Sequence, residues 1–292
     1  MNHILAVGLN MADIYVEEGR MYPGGNEVNV AVYARRLGFN SGFLGVFGDD
    51  AMASCIRKVL KTEKVDLSRC RSRQGETGVA FVRLIENDRV FAGGNNGGVT
   101  GAYPISIQEE DIPYIESFDV VTTSRFGRMK VEEVIRLCEA GRPVAYDFSS
   151  EEPEMLPAIG VYLTYSFFSC ENRNQAKTRL RQAYALGCPY NIATMGAQGA
   201  VLYDGRRWYF QEAVPVRVID TMGAGDSFLT AFLLNHRQAL GDGINHGDAI
   251  TSALEKAARF AAETCQQKGA SGYEFLYPSL DEVCKICNRE EE

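Results

Sequence analysis

Residues 218–236 read VIDTMGAGDSFLTAFLLNH. Gly223 and Gly225 flank one alanine and run straight into Asp226, and a strongly apolar segment, Phe228 to Leu234, follows at once. The most flexible backbone and a carboxylate therefore stand at the mouth of a buried helix. In open α/β sheets, ligands bind beyond the carboxyl ends of the strands, where loops enter helices. VRVID (216–220) reads as such a strand and SFLTAFLLN (227–235) as such a helix. The intervening Gly-Ala-Gly lets successive backbone N–H groups point at one spot, aided by the positive end of the helix. That is an anion hole. It is not a Walker A loop, because no Lys-Ser/Thr follows, and not a dinucleotide fingerprint, because the third glycine is missing.

Outward from this stretch the chain alternates. HILAVGL (3–9) is a short apolar run ending in glycine, and NVAVYARRLG (29–38) has helical spacing and stops at Gly38. SGFLGVFGDD (41–50) is a strand entering a turn, and MASCIRKVLKTE (52–63) is amphipathic. TGVAFVRLIENDRVFAG (77–93) holds two β-rich runs around Asn87-Asp88, a hairpin signal, and is too polar for the main core. Strands and helices then alternate through DVVTTS, VEEVIRLCEAG, VAYDFS, VYLTYSFFS, QAKTRLRQAYALG and NIATMG, and AVLYDGRRWYF (200–210) is a second hairpin. Short strands separated by helices of about ten residues predict right-handed βαβ units, hence a parallel sheet covered on both faces. No repeat or linker interrupts residues 1–292, which read as one α/β domain.

Composition narrows the function. With 46% hydrophobic residues in 292, the chain can bury a large core. A net charge of −8 without any basic run argues against a nucleic-acid partner. The N-terminus lacks the pattern of a secretory signal, and no segment reaches the roughly 20 apolar residues a membrane span requires. The expectation is a soluble, cytoplasmic protein with no membrane partner. Eight scattered cysteines then read as reduced, mostly buried thiols. CKIC (284–287) reads as a helix face rather than a zinc site, since a second ligand pair is lacking.

The residues alone leave two roles open for Asp226. It can stabilise the first turn of its helix, as aspartate often does. It can also be a general base. A carboxylate beside a phosphate-binding turn repels its ligand, and phosphoryl transfer supplies a reason for it: the acceptor hydroxyl must lose a proton while N–H groups hold the migrating phosphoryl.

DTMGAGD (220–226) resembles the D-T-x-G-A-G-D signature of the pfkB, or ribokinase-like, carbohydrate kinases. GGNEVNVAVYARRLG (24–38) is similar to that family's N-terminal signature, GVFGDD (45–50) to its G-x-x-G-x-D, and TMGAQGAVLYDG (194–205) to its nucleotide-side strand, turn and hairpin. The four motifs occur in the family's order and span nearly the whole chain. The resemblance implies a doubly wound central sheet with a small β-lid, built here from about residues 12–23 and 76–93. It also implies ATP as donor, Mg2+ as metal, a sugar alcohol as acceptor, and assembly as a homodimer through the lid. Carried over residue by residue, Asp226 is the base, and Gly223, Ala224 and Gly225 form the anion hole. Asp13, Gly25, Asn26 and Asn29 line the sugar pocket, with a cap as the competing role for Asn26. Thr194, Gly196 and Gly199 border the nucleotide, and Lys268-Gly269-Ala270 falls where the family's closing loop passes the adenine. The chain departs from the family's magnesium-organising N-x-x-E, reading Cys170-Glu171-Asn172-Arg173 instead, with Glu171 as the substitute metal residue.

For the acceptor, NDRVFAGGNNGGV (87–99), GGNEVNVAVYARRLG and AYDFS (145–149) look most like the fructoselysine 6-kinase branch. Arg89, Asn95, Asn96 and Arg125 are candidate polar partners for such a substrate. A plain fructokinase or ribokinase is the alternative, and spacing does not separate the two. A sugar- or nucleotide-binding sensor without chemistry would show a broken glycine turn or a missing acid, and both are intact here.

Overall fold

The structure is a computed structural model that describes residues 3–85 and 88–277, with the side chains of 84–91 outside the description. The chain opens with β1 (His3–Gly8), the hairpin β2 (Met11–Tyr15) and β3 (Arg20–Gly24), α1 (Asn26–Arg36), β4 (Asn40–Phe47) and α2 (Ala51–Thr62). A short β5 (Arg71–Ser72), β6 (Gly78–Ile85), β7 (Asp88–Gly94), α3 (Gly98–Ala102) and α4 (Ile112–Glu116) follow. Regular alternation resumes with β8 (Val120–Ser124), α5 (Val131–Glu139), β9 (Val144–Asp147), α6 (Leu156–Ile159), β10 (Tyr165–Ser169), α7 (Arg173–Ala185) and β11 (Tyr190–Thr194). The chain closes with β12 (Ala200–Tyr203), β13 (Trp208–Gln211), α8 (Ala224–Gly241), α9 (His246–Thr264) and β14 (Phe275–Leu276).

The larger sheet has the order β13-β12-β11-β10-β9-β8-β1-β4-β5. From β11 to β5 every pairing is parallel, and only β12 and β13 run antiparallel at one edge. Alternate residues of β1 show why both faces are covered. Ile4 and Ala6 point into a core with α1, α2, α8 and α9, whereas Leu5 and Val7 point into a second core with α5, α6 and α7. The sheet is doubly wound, because the chain leaves β1 toward β4 on one side and later enters β8 on the other. The crevice between the carboxyl ends of β1 and β8 is thus a topological switch point, where sheets of this kind hold their ligands.

A second sheet, β14-β3-β2-β6-β7, stands apart with a small core of Ala12, Ile14, Met21, Val79 and Phe81. The hairpin at 77–93 therefore lies outside the main cores, as its polarity predicts, yet buries apolar residues of its own.

One strand expectation fails. VRVID (216–220) forms no strand. β13 is the outermost strand of the sheet, and this segment does not pair with it. It crosses the sheet's end instead, with Val218 and Ile219 more than half exposed and the Ile219 and Asp220 N–H groups donating to Cys265 O at 2.8 and 3.2 Å. The described cysteines are free thiols, but only Cys188 is fully buried and the rest are half-buried; CKIC lies outside the described residues. Among the described residues no helix is long and apolar enough to cross a membrane.

The GVFGDD motif joins the two sheets. Asp50 caps α2 through Ala53 N–H at 2.7 Å and also accepts from Thr77 N–H (2.7 Å) and Oγ1 (2.6 Å) at the entry to β6. Removing it deletes a cap worth about 1 kcal/mol and charge-assisted bonds of about 1.5–3 kcal/mol each in gross terms. Asp50→Ala should lower unfolding free energy by about 2–4 kcal/mol in urea titration; a loss below about 1 kcal/mol would show the junction to be dispensable.

Candidate active site

The switch-point crevice is lined by acids. Glu27, on the first turn of α1, is buried, and its Oε2 accepts from Leu9 N–H at 2.9 Å just beyond β1. The Ser124 hydroxyl at the end of β8 also supports it, but burial dominates and pushes the carboxyl up to about 7, with Asp147 adding repulsion. Asp147 ends β9. It accepts from Ser149 N–H at 2.8 Å and from Asn26 Nδ2 at 3.1 Å, and burial raises it to about 6 against those bonds and the nearby Arg125. Asp13, from β2, is buried and lies over Gly24, where an added Cβ would stand 2.2 Å from its Oδ2. That close approach requires glycine.

Asp226 faces the same crevice from α8. Its Oδ2 accepts from Asn29 Nδ2 at 2.8 Å, and burial raises its pKa well above the usual carboxylate range. The Asn29 bond opposes this rise, while Asp147, Glu27 and Asp13 reinforce it. The Asp226 side chain stands in the first turn of α8 but does not cap it: the helix begins at Gly223 without a side-chain cap, and the carboxylate is turned to Asn29. Likewise Asn26 does not cap α1, whose N-cap is Gly25; its amide reaches Asp147.

The glycines of the turn divide their work. Gly223 carries the left-handed conformation (φ 74°), and a Cβ there would meet Tyr33 Oη at 2.3 Å and Ala270 Cβ at 2.7 Å. Gly225 is helical, and a Cβ there would meet nothing within 4 Å. Neither its backbone angles nor its neighbours therefore require glycine there. Ala224 N–H donates to Thr221 O at 3.2 Å, leaving the N–H groups of Gly223, Gly225 and Asp226 as the donors without a backbone partner among the described residues.

On the far side of the turn lies a mostly apolar cavity of about 510 Å³. Ala224 and Gly225 form one wall, Thr194, Gly196 and Gly199 another, and Val214, Phe228 and Ala258 supply apolar surface. Glu171 is exposed, its backbone pinned by Gln175 Oε1 (2.7 Å) and by Nε2 of Gln198 (2.9 Å), which lies between the cavity-lining Ala197 and Gly199 in sequence. The neighbouring Asn172 caps α7. The expected nucleotide residues and the glycine turn thus share one cavity, and the expected sugar residues Asp13, Gly25, Asn26 and Asn29 lie across the turn.

Reading the residues misses the hub of the site. Asp220 accepts from Met222 N–H (2.9 Å), Gly269 N–H (2.9 Å) and Tyr15 Oη (2.5 Å). One carboxylate thereby joins the turn, the 268–270 segment and β2. Tyr33 Oη donates to Ala270 O at 2.6 Å, and Lys268 Nζ meets Glu18 Oε1 at 2.6 Å. The acid is visible as the first letter of the DTMGAGD motif, but its partner Tyr15 carries no sequence signal. The Asn95 amide donates to Thr77 O and accepts from Val79 N–H, which ties it to the entry of β6. Arg125 pairs with Glu151. The Arg89 side chain lies outside the described residues.

Residues 7–274 match the model of the pfkB family carbohydrate kinases. The chain belongs to that family. It is 38% identical over 278 residues to the fructosamine kinase FrlD of Bacillus subtilis, covering 94% of each chain. It is 32% identical over 272 residues to the fructoselysine 6-kinase of Escherichia coli, covering 92% of this chain and all of that one. Among solved structures, the fructokinase of Xylella fastidiosa with bound ATP has the same fold, with a TM-score of 0.78, 21% identity and 99% of each chain covered. As a pfkB family carbohydrate kinase, the protein is a phosphotransferase acting on a sugar hydroxyl.

The buried acids of this kinase predict a pH signature. Glu27 moves from 4.5 to about 7 on folding. Between these values the folded chain holds a proton that the unfolded chain has lost, so this group's contribution to stability falls as pH rises through that window. Glu27→Gln should therefore gain stability relative to wild type as pH rises from 4.5 to 7, by about 2–3 kcal/mol in denaturant titrations. A difference independent of pH would place the Glu27 carboxyl in an ordinary environment.

Proposed function

We propose that the protein transfers the γ-phosphoryl group of ATP to the 6-hydroxymethyl of a fructosamine, fructoselysine first. One observation carries the mechanism. The Asn29-held carboxyl of Asp226 lies on the acid-lined side of a glycine turn whose other side walls the apolar cavity. A phosphoryl group donated from the cavity and a hydroxyl presented from the crevice meet at that turn.

In this reading the cavity takes the nucleotide, bordered by Thr194, Gly196 and Gly199, and the free N–H groups of the turn hold the migrating phosphoryl. Asp226 removes the hydroxyl proton. Burial raises its pKa and so makes the carboxylate a stronger base for that proton. Asp13, Gly25, Asn26, Asn29 and Arg89 are assigned to the sugar, and the smaller sheet is its cover, excluding water from the transfer. Among the described residues no three His, Cys, Asp or Glu side chains gather to hold a metal ion. Magnesium is commonly held by one or two carboxylates together with phosphates and water, which the exposed Glu171 suits. There the ion would neutralise phosphate charge. Action in the cytoplasm and a homodimer formed through the smaller sheet complete the proposal; β7 is an edge strand whose backbone groups a second copy can pair.

The identity to fructosamine and fructoselysine kinases supports the acceptor. Asp226→Asn is isosteric and keeps an oxygen for Asn29, so ATP binding by calorimetry should persist while kcat falls about 10²–10⁴-fold. A variant retaining a third of wild-type turnover would remove Asp226 from the chemistry.

The substrate has its own test. A site built for the amine-bearing end rejects analogues that leave its polar groups unpaired. kcat/KM for fructoselysine should exceed that for free fructose by at least about tenfold, or roughly 1.4 kcal/mol. Fructose or ribose used equally well would replace the fructosamine with a simple sugar and leave the kinase intact.

A further inference from the structure

The crevice that receives the sugar gathers more acidic groups than the base and the sugar contacts account for. Asp13, Glu27, Asp147 and Asp226 act on one another there, and the cation that reaches Asp147, Arg125, is already paired with Glu151. Gathering carboxylates out of water is unfavourable unless a ligand supplies donors or positive charge. A second, independent feature points to such a ligand. Asn29 is only 3% exposed, and while its Nδ2 holds Asp226, its Oδ1 has no partner among the described residues. The crevice thus presents acceptors awaiting donors.

Two of the acceptors are held by one helix. Asn29 marks Asp226, and Asn26, three residues earlier on α1, marks Asp147. Three residues advance about 4.5 Å along a helix, so the two acids are held from neighbouring positions on one face of α1. Asp13, Glu27 and Asp226 are buried, whereas Asp147 is partly exposed. Each Asp147 oxygen already accepts one bond, from Ser149 N–H or Asn26 Nδ2, which leaves each one further acceptor position.

We infer that Asp147 is the specificity determinant for a cationic acceptor. With the hydroxymethyl at Asp226, the secondary ammonium joining the sugar to its amino-acid portion lies against the Asp147 carboxylate, and the remainder of the substrate leaves through the open end. This rests on the fructosamine reading and adds to it the group that distinguishes a glycated amine from a free ketose. A charge-assisted bond to an ammonium is about twice as strong as one to a neutral donor, so an analogue without the charge is disfavoured at this position.

The test compares kcat/KM for fructoselysine, for a 1-O-alkyl fructose in which an ether oxygen replaces the ammonium, and for free fructose. Wild type should prefer the amine to the ether at least about thirtyfold, and Asp147→Asn should reduce that ratio at least about tenfold, the effect of losing one charged contact. The wild-type comparison needs no mutation, so it decides even if the variant fails to fold. Equal use of amine and ether, both above fructose, overturns the ammonium contact alone, as does an unchanged ratio in a folded Asp147→Asn. Preference for free fructose over both overturns the fructosamine reading itself.

Discussion

The site is organised by one hydrogen bond, from Asn29 Nδ2 to Asp226 Oδ2, between residues 197 positions apart. It joins the first turn of α1 to the first turn of α8, two helices packed on the same face of the larger sheet. Because both helices begin there, their positive ends and free N–H groups converge on the crevice. The bond also fixes which way the acid points. A carboxylate on the third residue of a helix would otherwise turn back to the helix's own amides. Here the amide of a neighbouring helix holds it toward the switch point.

A second constraint keeps the smaller sheet in register with this centre. Asp220 accepts from Tyr15 of β2, from Gly269 and from Met222, so a movement of β2 is felt by the glycine turn. Ser271 Oγ donates to Pro23 O, and β14 pairs with β3. Bonds from the C-terminal segment thus close the site on the side away from Asp50, whose own bonds tie α2 to β6. The smaller sheet buries few apolar residues, so these polar ties are a larger share of its attachment than of the main core.

The acids illustrate a trade between stability and function. Burial raises Glu27, Asp147 and Asp226 together, and their mutual repulsion adds to the effect. A hydrophobic crevice would fold more readily, but could neither accept a proton nor pair with a ligand's donors.

Much of this architecture is legible in residue order. Alternating strands and helices determine a parallel sheet covered on both faces, since each helix must bury its apolar stripe and each strand both of its faces. The glycines before Asp226 announce a turn that few other residues can make, and Gly223 at φ 74° is that turn. Tertiary structure decided what periodicity cannot reach. VRVID has the composition of a strand, but its Ile219 and Asp220 N–H groups donate to Cys265 O rather than to the sheet's edge, so it became a crossing segment. Glu27 sits on an ordinary helix pattern and Asp147 at the end of an ordinary strand; only the reversal of strand order between β8 and β1 brings them to one crevice. Tyr15 finds Asp220 across 205 residues for the same reason. Local sequence sets the conformation of each piece, because backbone sterics and burial periodicity act over a few residues. Partners at the site are set by where the pieces end in space, which depends on the packing of the whole sheet.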